Sequence, residues 1–136
     1  MKGMLKENSL ENKVILVTGG GSGLGKSMVK YFLELGANVV ITSRREELLI
    51  EVAKEFNSKY NSEVFPIPCD VRKIDEVENV INKSYKKFGK IDCLVNNAAG
   101  NFISPTERLS TRAFDAVIDI VLKGTINFTL TLGKKW

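Results

Sequence analysis

Four short apolar runs alternate along the chain with longer stretches in which apolar residues return every three or four positions. The runs cover residues 14–17, 38–42, 63–67 and 91–95. Uninterrupted apolar runs of that length, ended by turn residues, suit strands buried on both faces of a parallel sheet. Between them, Leu24, Met28, Phe32 and Leu35 predict a helix stopped at Gly36, and Leu48, Leu49, Val52, Ala53 and Phe56 predict a second. A third helix is predicted over 74–88, with Val77, Val80, Ile81, Tyr85 and Phe88 on one face and Gly89 as its stop. Pro66 and Pro68 lack amide donors and so place the third strand at or near a sheet edge. The last helix, starting near Ser110 or Thr111, is apolar almost all round. Phe114, Val117, Ile118, Ile120, Val121, Leu122, Ile126 and Phe128 cannot all face one sheet, so the far side predicts a further element or a homo-oligomer contact in the full-length protein.

Strand and helix in strict alternation imply right-handed crossovers and a sheet covered on both faces. The expected fold class is therefore α/β, a doubly wound parallel sheet of Rossmann type. With 136 residues, residues 1–136 are expected to form a single nucleotide-binding domain. The composition, 43% hydrophobic and 26% charged, suits a soluble domain; the uninterrupted apolar runs fall short of a membrane span, and no membrane association is expected. The polar first dozen residues have neither the apolar stretch of a secretory signal nor the Arg-rich character of a transit peptide, which makes the cytoplasm the expected location. The net charge of +4 is spread over lysines that alternate with acids, so no nucleic-acid partner is expected. Cys69 and Cys93 lack metal-ligand spacing, and with no histidine in the chain there is no metal site to expect; both read as buried reduced thiols. The missing imidazole also excludes Ser-His-Asp and Cys-His nucleophilic catalysis.

The first strand runs into Thr18-Gly19-Gly20-Gly21-Ser22-Gly23-Leu24-Gly25, with five glycines in the seven positions from Gly19. Glycine admits positive φ, lets a ligand approach the main chain, and leaves the first amides of the next helix open to phosphate. At the first strand-to-helix junction of an alternating pattern, that turn predicts a dinucleotide site. No GK[ST] follows, so it is not a P-loop. The spacing TGxxxGxG resembles that of short-chain dehydrogenases/reductases. Asn96-Asn97-Ala98-Ala99-Gly100 after the fourth strand resembles that family's NNAG element, and Asp70-Val71 after the third resembles its adenine-contacting pair. The resemblance implies cofactor contacts from Gly19, Gly20, Gly21, Ser22, Gly23, Leu24, Gly25, Asp70, Val71, Asn97, Ala98 and Gly100. At the end of the second strand the chain has Ser43, Arg44 and Arg45 where an NAD enzyme would place an acid. A guanidinium pairs with a ribose 2′-phosphate that a carboxylate would repel, so NADP(H) is the expected cofactor, with Ser43 and Arg44 at the phosphate. Arg45 reads better as the solvated start of the next helix.

The stretch NNAAGNFISPTERL, residues 96–109, closely resembles 2,4-dienoyl-CoA reductases. That resemblance, which covers nearly the whole chain from Asn12, implies an acyl-CoA substrate from the β-oxidation of unsaturated fatty acids and hydride transfer from NADPH. It makes Asn101 the amide donor to the thioester carbonyl, a role suited to developing negative charge. Arg44, Arg72, Phe102 and Ser110 correspond to substrate-contacting positions. Their blander readings are a solvated arginine at 72, a packing aromatic at 102 and a helix N-cap at 110. In Asp119-Ile120-Val121-Leu122-Lys123-Gly124, Val121 stands where most of the family has an asparagine that holds a relay water. Conjugate reduction needs enolate stabilisation more than a proton at oxygen, so this departure fits an enoyl-type reductase. The family's Tyr and Lys, four residues apart, have no counterpart: Tyr31, Tyr60 and Tyr85 are followed four positions on by Leu35, Val64 and Gly89. The expectation is a reductase truncated after about four strands and inactive by itself. A 3-oxoacyl or polyol reductase, and a nucleotide-binding module without catalysis, remain as alternatives.

Overall fold

The computed structural model describes residues 5–101 and 103–136. Their elements run β1 (Val14–Thr18), α1 (Gly23–Glu34), β2 (Asn38–Ser43), α2 (Glu46–Asn57), β3 (Val64–Pro68), α3 (Ile74–Phe88) and β4 (Cys93–Val95), then a 3₁₀ turn (Thr106–Arg108) and a long helix. The four strands form one parallel sheet in the order β3-β2-β1-β4. β3, with Pro66 and Pro68, lies at one edge as its missing amides require. β4 forms the other and pairs only Cys93, Leu94 and Val95 with β1, two residues shorter than the apolar run predicts.

The alternation of side chains along the strands divides the interior in two. Val14, Leu16, Val40 and Ile67 face α3 and the end of the last helix, where Val77, Val80, Ile81, Phe128 and Leu132 meet them. Ile15, Val17, Val39, Ile41 and Val64 face α1 and α2, closing on Val29, Leu33, Leu49, Val52, Ala53 and Phe56. Helices on both faces confirm the doubly wound class. Two polar side chains pin strand starts: Asp92 accepts from the Val14 amide at 2.9 Å, and Asn57 both accepts from the Val64 amide at 2.7 Å and donates to its carbonyl at 3.1 Å.

Three expectations are corrected. The buried face of α1 is Gly25, Val29 and Leu33, one position round from the predicted stripe, and Leu24 is 71% exposed. Glycine gives no apolar signal at 25, yet it is the residue pressed against the turn that follows β1. Cys93 is exposed because it sits on an edge strand, whereas Cys69 is buried as expected. The last helix is not uniform: α4 (Thr111–Ile118) passes through a π turn (Asp119–Lys123) into α5 (Gly124–Gly133). Only Gly124, Phe128 and Leu132 of α5 are buried, and Phe114, Val121, Leu122, Ile126 and Leu130 are exposed. By length and composition alone the run Thr111–Gly133 is apolar enough to cross a membrane, a property that the count of uninterrupted apolar residues missed.

Candidate functional site

The carboxyl ends of β1, β2, β3 and β4 surround a cleft of about 300 Å³. In an open α/β sheet this is where ligands bind, at the point where strand order reverses, here between β1 and β4. The glycine turn forms one wall. Gly19 has φ +69, a left-handed conformation, and a Cβ there would sit 2.9 Å from Asn97 Nδ2. Gly25 is held more tightly: an added Cβ would lie inside contact distance of the Gly19 carbonyl and 2.6 Å from Asn97 Nδ2. The start of α1 is thus pressed on the turn.

Thr18 ties the opposite wall to this turn. Its hydroxyl accepts from the amides of Asn97 at 3.0 Å and Ala98 at 2.9 Å, and the Asn97 side chain donates back to the Thr18 carbonyl at 2.9 Å. Five hydrogen-bonding groups on two adjacent strand ends are therefore satisfied by each other. Thr18 was not singled out from the sequence; its position just before the glycines is the signal that could have found it.

The third wall is Asp70, at the end of β3. Arg72 Nε donates to Asp70 Oδ1 at 2.8 Å and Oδ2 at 3.1 Å, and Arg72 Nη2 also donates to Oδ2. This pairing with Arg72 holds the Asp70 carboxyl below its usual range, so it is a hydrogen-bond acceptor at neutral pH. Burial pushes the neighbouring Cys69 thiol up to about 12, which keeps it protonated and removes it as a nucleophile.

Of the residues expected from the sequence, Gly19, Gly21, Ser22, Leu24, Gly25, Ser43, Arg44, Asp70, Val71, Asn97 and Ala98 line one cleft. Gly20 lies beneath it against Ile41, Gly23 carries φ +53 at the start of α1, and Gly100 packs on Ile120. Arg72 lies outside the cleft lining and is exposed, as the blander reading has it, but its guanidinium is also paired with Asp70. Ser110 is the N-cap of α4, accepting from the Ala113 amide at 3.2 Å, and is exposed outside the cleft lining. Asn101 is exposed beyond β4, and Phe102 lies outside the described residues. Arg45, Cys69, Ala99 and Ile120 line the cleft without having been expected. Arg45 is the exposed residue that starts α2, as expected, and it also reaches back to the glycine turn, donating to Ser22 Oγ at 3.0 Å.

A parallel sheet of order 3-2-1-4, a glycine turn entering α1 and an acid at the end of β3 define the dinucleotide half of an oxidoreductase fold. The chain belongs to the short chain dehydrogenase family, whose model matches residues 13–136. This is a family of oxidoreductases that use nicotinamide cofactors. A probable 2,4-dienoyl-CoA reductase 3 [(3E)-enoyl-CoA-producing] of Caenorhabditis elegans is 48% identical over 133 residues, which is 97% of this chain and 43% of that protein. A probable 2,4-dienoyl-CoA reductase [(2E)-enoyl-CoA-producing] of Bacillus subtilis is 41% identical over 93% of this chain and 50% of its own length. Among solved structures, a short chain dehydrogenase from Bacillus anthracis superposes with a TM-score of 0.88 at 43% identity, covering 94% of this chain and 53% of that one. The chain spans about half the length of these relatives.

Proposed function

We propose that this chain supplies the NADP(H) side of a 2,4-dienoyl-CoA reductase. The observation that carries the cofactor half is the cleft itself: an amide-lined glycine turn, an ionised Asp70 and two arginines at the end of β2 gathered around one opening. A Cβ at Gly19 or Gly25 would collide with Asn97, so only glycine lets the turn, Asn97 and the start of α1 pack this closely, and the helix start that they hold is where phosphate oxygens would bind. Asp70 would accept from the adenine amine, and Arg44 would pair with a ribose phosphate. The bound nicotinamide would supply hydride to the conjugated system. This chain's own contribution to the chemistry is Asn101, whose amide would donate to the thioester carbonyl as charge develops on its oxygen. The relatives' dienoyl-CoA names and the NNAAGNF stretch support that substrate. Those relatives carry different product names, (3E) in one and (2E) in the other, so they leave the final double-bond position open.

The test is substrate-dependent NADPH oxidation by the gene product that contains these residues. A 2,4-dienoyl-CoA should drive oxidation at least about tenfold faster, in kcat/KM, than a 3-oxoacyl-CoA of equal chain length, a transition-state difference of about 1.4 kcal/mol. Faster turnover of the 3-oxoacyl thioester would refute the dienoyl assignment and leave the cofactor assignment standing.

A further inference from the structure

The last helix is fastened to both edges of the sheet at the cleft end. On the β4 side, Asn96 donates to Thr129 Oγ1 at 3.1 Å, and Ile120 of the π turn packs on Gly100 and lines the cleft. On the β3 side, Gly124 lies so close to Val71 that an added Cβ would be 2.5 Å from Val71 Cγ2. Asn127, three residues on and on the same helix face, donates from Nδ2 to the Val71 carbonyl at 2.9 Å. Phe128 and Leu132, fully buried, hold the same helix in the core. Asparagine is an indifferent helix former and a half-buried amide needs a partner, so its place at 127 has a reason beyond the helix.

The Val71 carbonyl and the Arg72 amide belong to one peptide unit, which is planar and trans, so the two groups point in opposite directions. Asn127 therefore fixes both. With the carbonyl turned to α5, the Arg72 N–H is turned to Asp70 and donates to its Oδ1 at 3.1 Å. The same peptide sets the root of the Arg72 side chain, whose Nε donates to both Asp70 oxygens. The Asp70 amide is held separately, donating to Glu76 Oε2 at 2.7 Å. Asn127 thus acts on the Asp70 carboxylate through a single rigid peptide, although it lies outside the cleft lining.

We propose that Asn127 is a positioning residue for the dinucleotide: from the last helix, through the Val71–Arg72 peptide, it holds Asp70 in the orientation that accepts from the amino group of the base. This rests on the reading of Asp70 as that acceptor and deepens it, giving the last helix a part in recognising the base. A carboxylate held in place accepts from an amino group and repels a carbonyl at the same position of a purine. One free to turn escapes the repulsion and must be ordered before it can accept, so it distinguishes the two poorly.

The test is equilibrium binding of NADPH and of its hypoxanthine analogue, in which a carbonyl replaces the amino group of the base, to the gene product that contains these residues. The unaltered protein should bind NADPH about ten- to a hundredfold more tightly, the effect of one hydrogen bond to a charged group. Asn127→Leu, which keeps the bulk and removes the donor, should bring the two ligands within about threefold of each other, mainly by weakening NADPH. Asn127→Asp, of the same shape and without a donor when ionised, should do the same. Retained binding of the analogue shows that a variant is folded. A ratio left unchanged in either folded variant, or a parallel loss of both ligands in both variants, overturns the proposal and leaves Asn127 with a role in the fold alone. An unaltered protein that binds NADPH without distinguishing the two shows instead that Asp70 does not read the base, which refutes the reading beneath the proposal and the proposal with it.

Discussion

Gly25→Ala is expected to destabilise the chain by about 3 kcal/mol, the upper end of the usual cost of overpacking, and to weaken dinucleotide binding by about a hundredfold. The added methyl would have nowhere to go: it would meet the Gly19 carbonyl and the Asn97 amide nitrogen, and the first of these is backbone that cannot rotate aside. Relief requires α1 to lift from the turn, which breaks the close approach of the Thr18–Asn97 pair and moves the helix amides away from where a phosphate would sit. In a thermal melt the loss should appear as about 10 °C in Tm. Gly23→Ala is the matched comparison. A Cβ at Gly23 meets nothing within 4 Å, so only its positive φ of +53 opposes the change, at about 1 to 2 kcal/mol. Equal losses from the two substitutions would show that backbone conformation, and not close packing, governs the turn.

Asn101→Ala should lower kcat of the gene product by about a hundred- to a thousandfold with a dienoyl-CoA substrate, the range seen when one donor to a developing oxyanion is removed. Affinity for NADPH should be unchanged, because Asn101 lies beyond β4 and outside the residues that line the cleft. The sequence of effects is specific to the proposed role. An amide that only shaped its loop would alter cofactor and substrate binding together, and an alanine there would change turnover by less than about tenfold. Pre-steady-state measurement of NADPH oxidation, separated from product release, reads the chemical step itself.

Much of this architecture could be read before any coordinates. The apolar runs at 14–17 and 38–42 fall one residue short of the strands they predict, the helix at 74–88 is continuous in its patterning, and the prolines of β3 identify an edge. The misplaced face of α1 shows the limit of that approach. Gly25 is invisible to a count of apolar residues although it is the point of closest packing, so the stripe was assigned to its neighbours Leu24 and Met28. The π turn at Asp119–Lys123 was also illegible. The stretch contains no proline, and its glycine comes just after it, at 124. Its consequence is local and concrete: Ile120 is brought against Gly100 and into the cleft wall.

The site was legible where single residue types carry a backbone reason and illegible where side chains reach across the fold. The glycines, Asp70 and Asn97 fall in the first group. Arg45 and Thr18 fall in the second: the Arg45–Ser22 contact joins residues 23 positions apart, and the Thr18 contacts join residues about 80 apart. Arg72 lies between these cases. Its position two residues after Asp70 was evident, but its bidentate hold on that carboxylate depends on the turn between β3 and α3.

Hydrogen–deuterium exchange of this chain with and without saturating NADPH tests most directly whether the cleft is the cofactor site. Binding should slow exchange in the peptides containing residues 19–25, 43–45, 70–72 and 97–100, and leave the far ends of α1 and α2 unaffected. Saturable NADPH binding without protection of the glycine turn, or with protection centred on the opposite end of the sheet around Gly36 and Tyr60, would contradict the account.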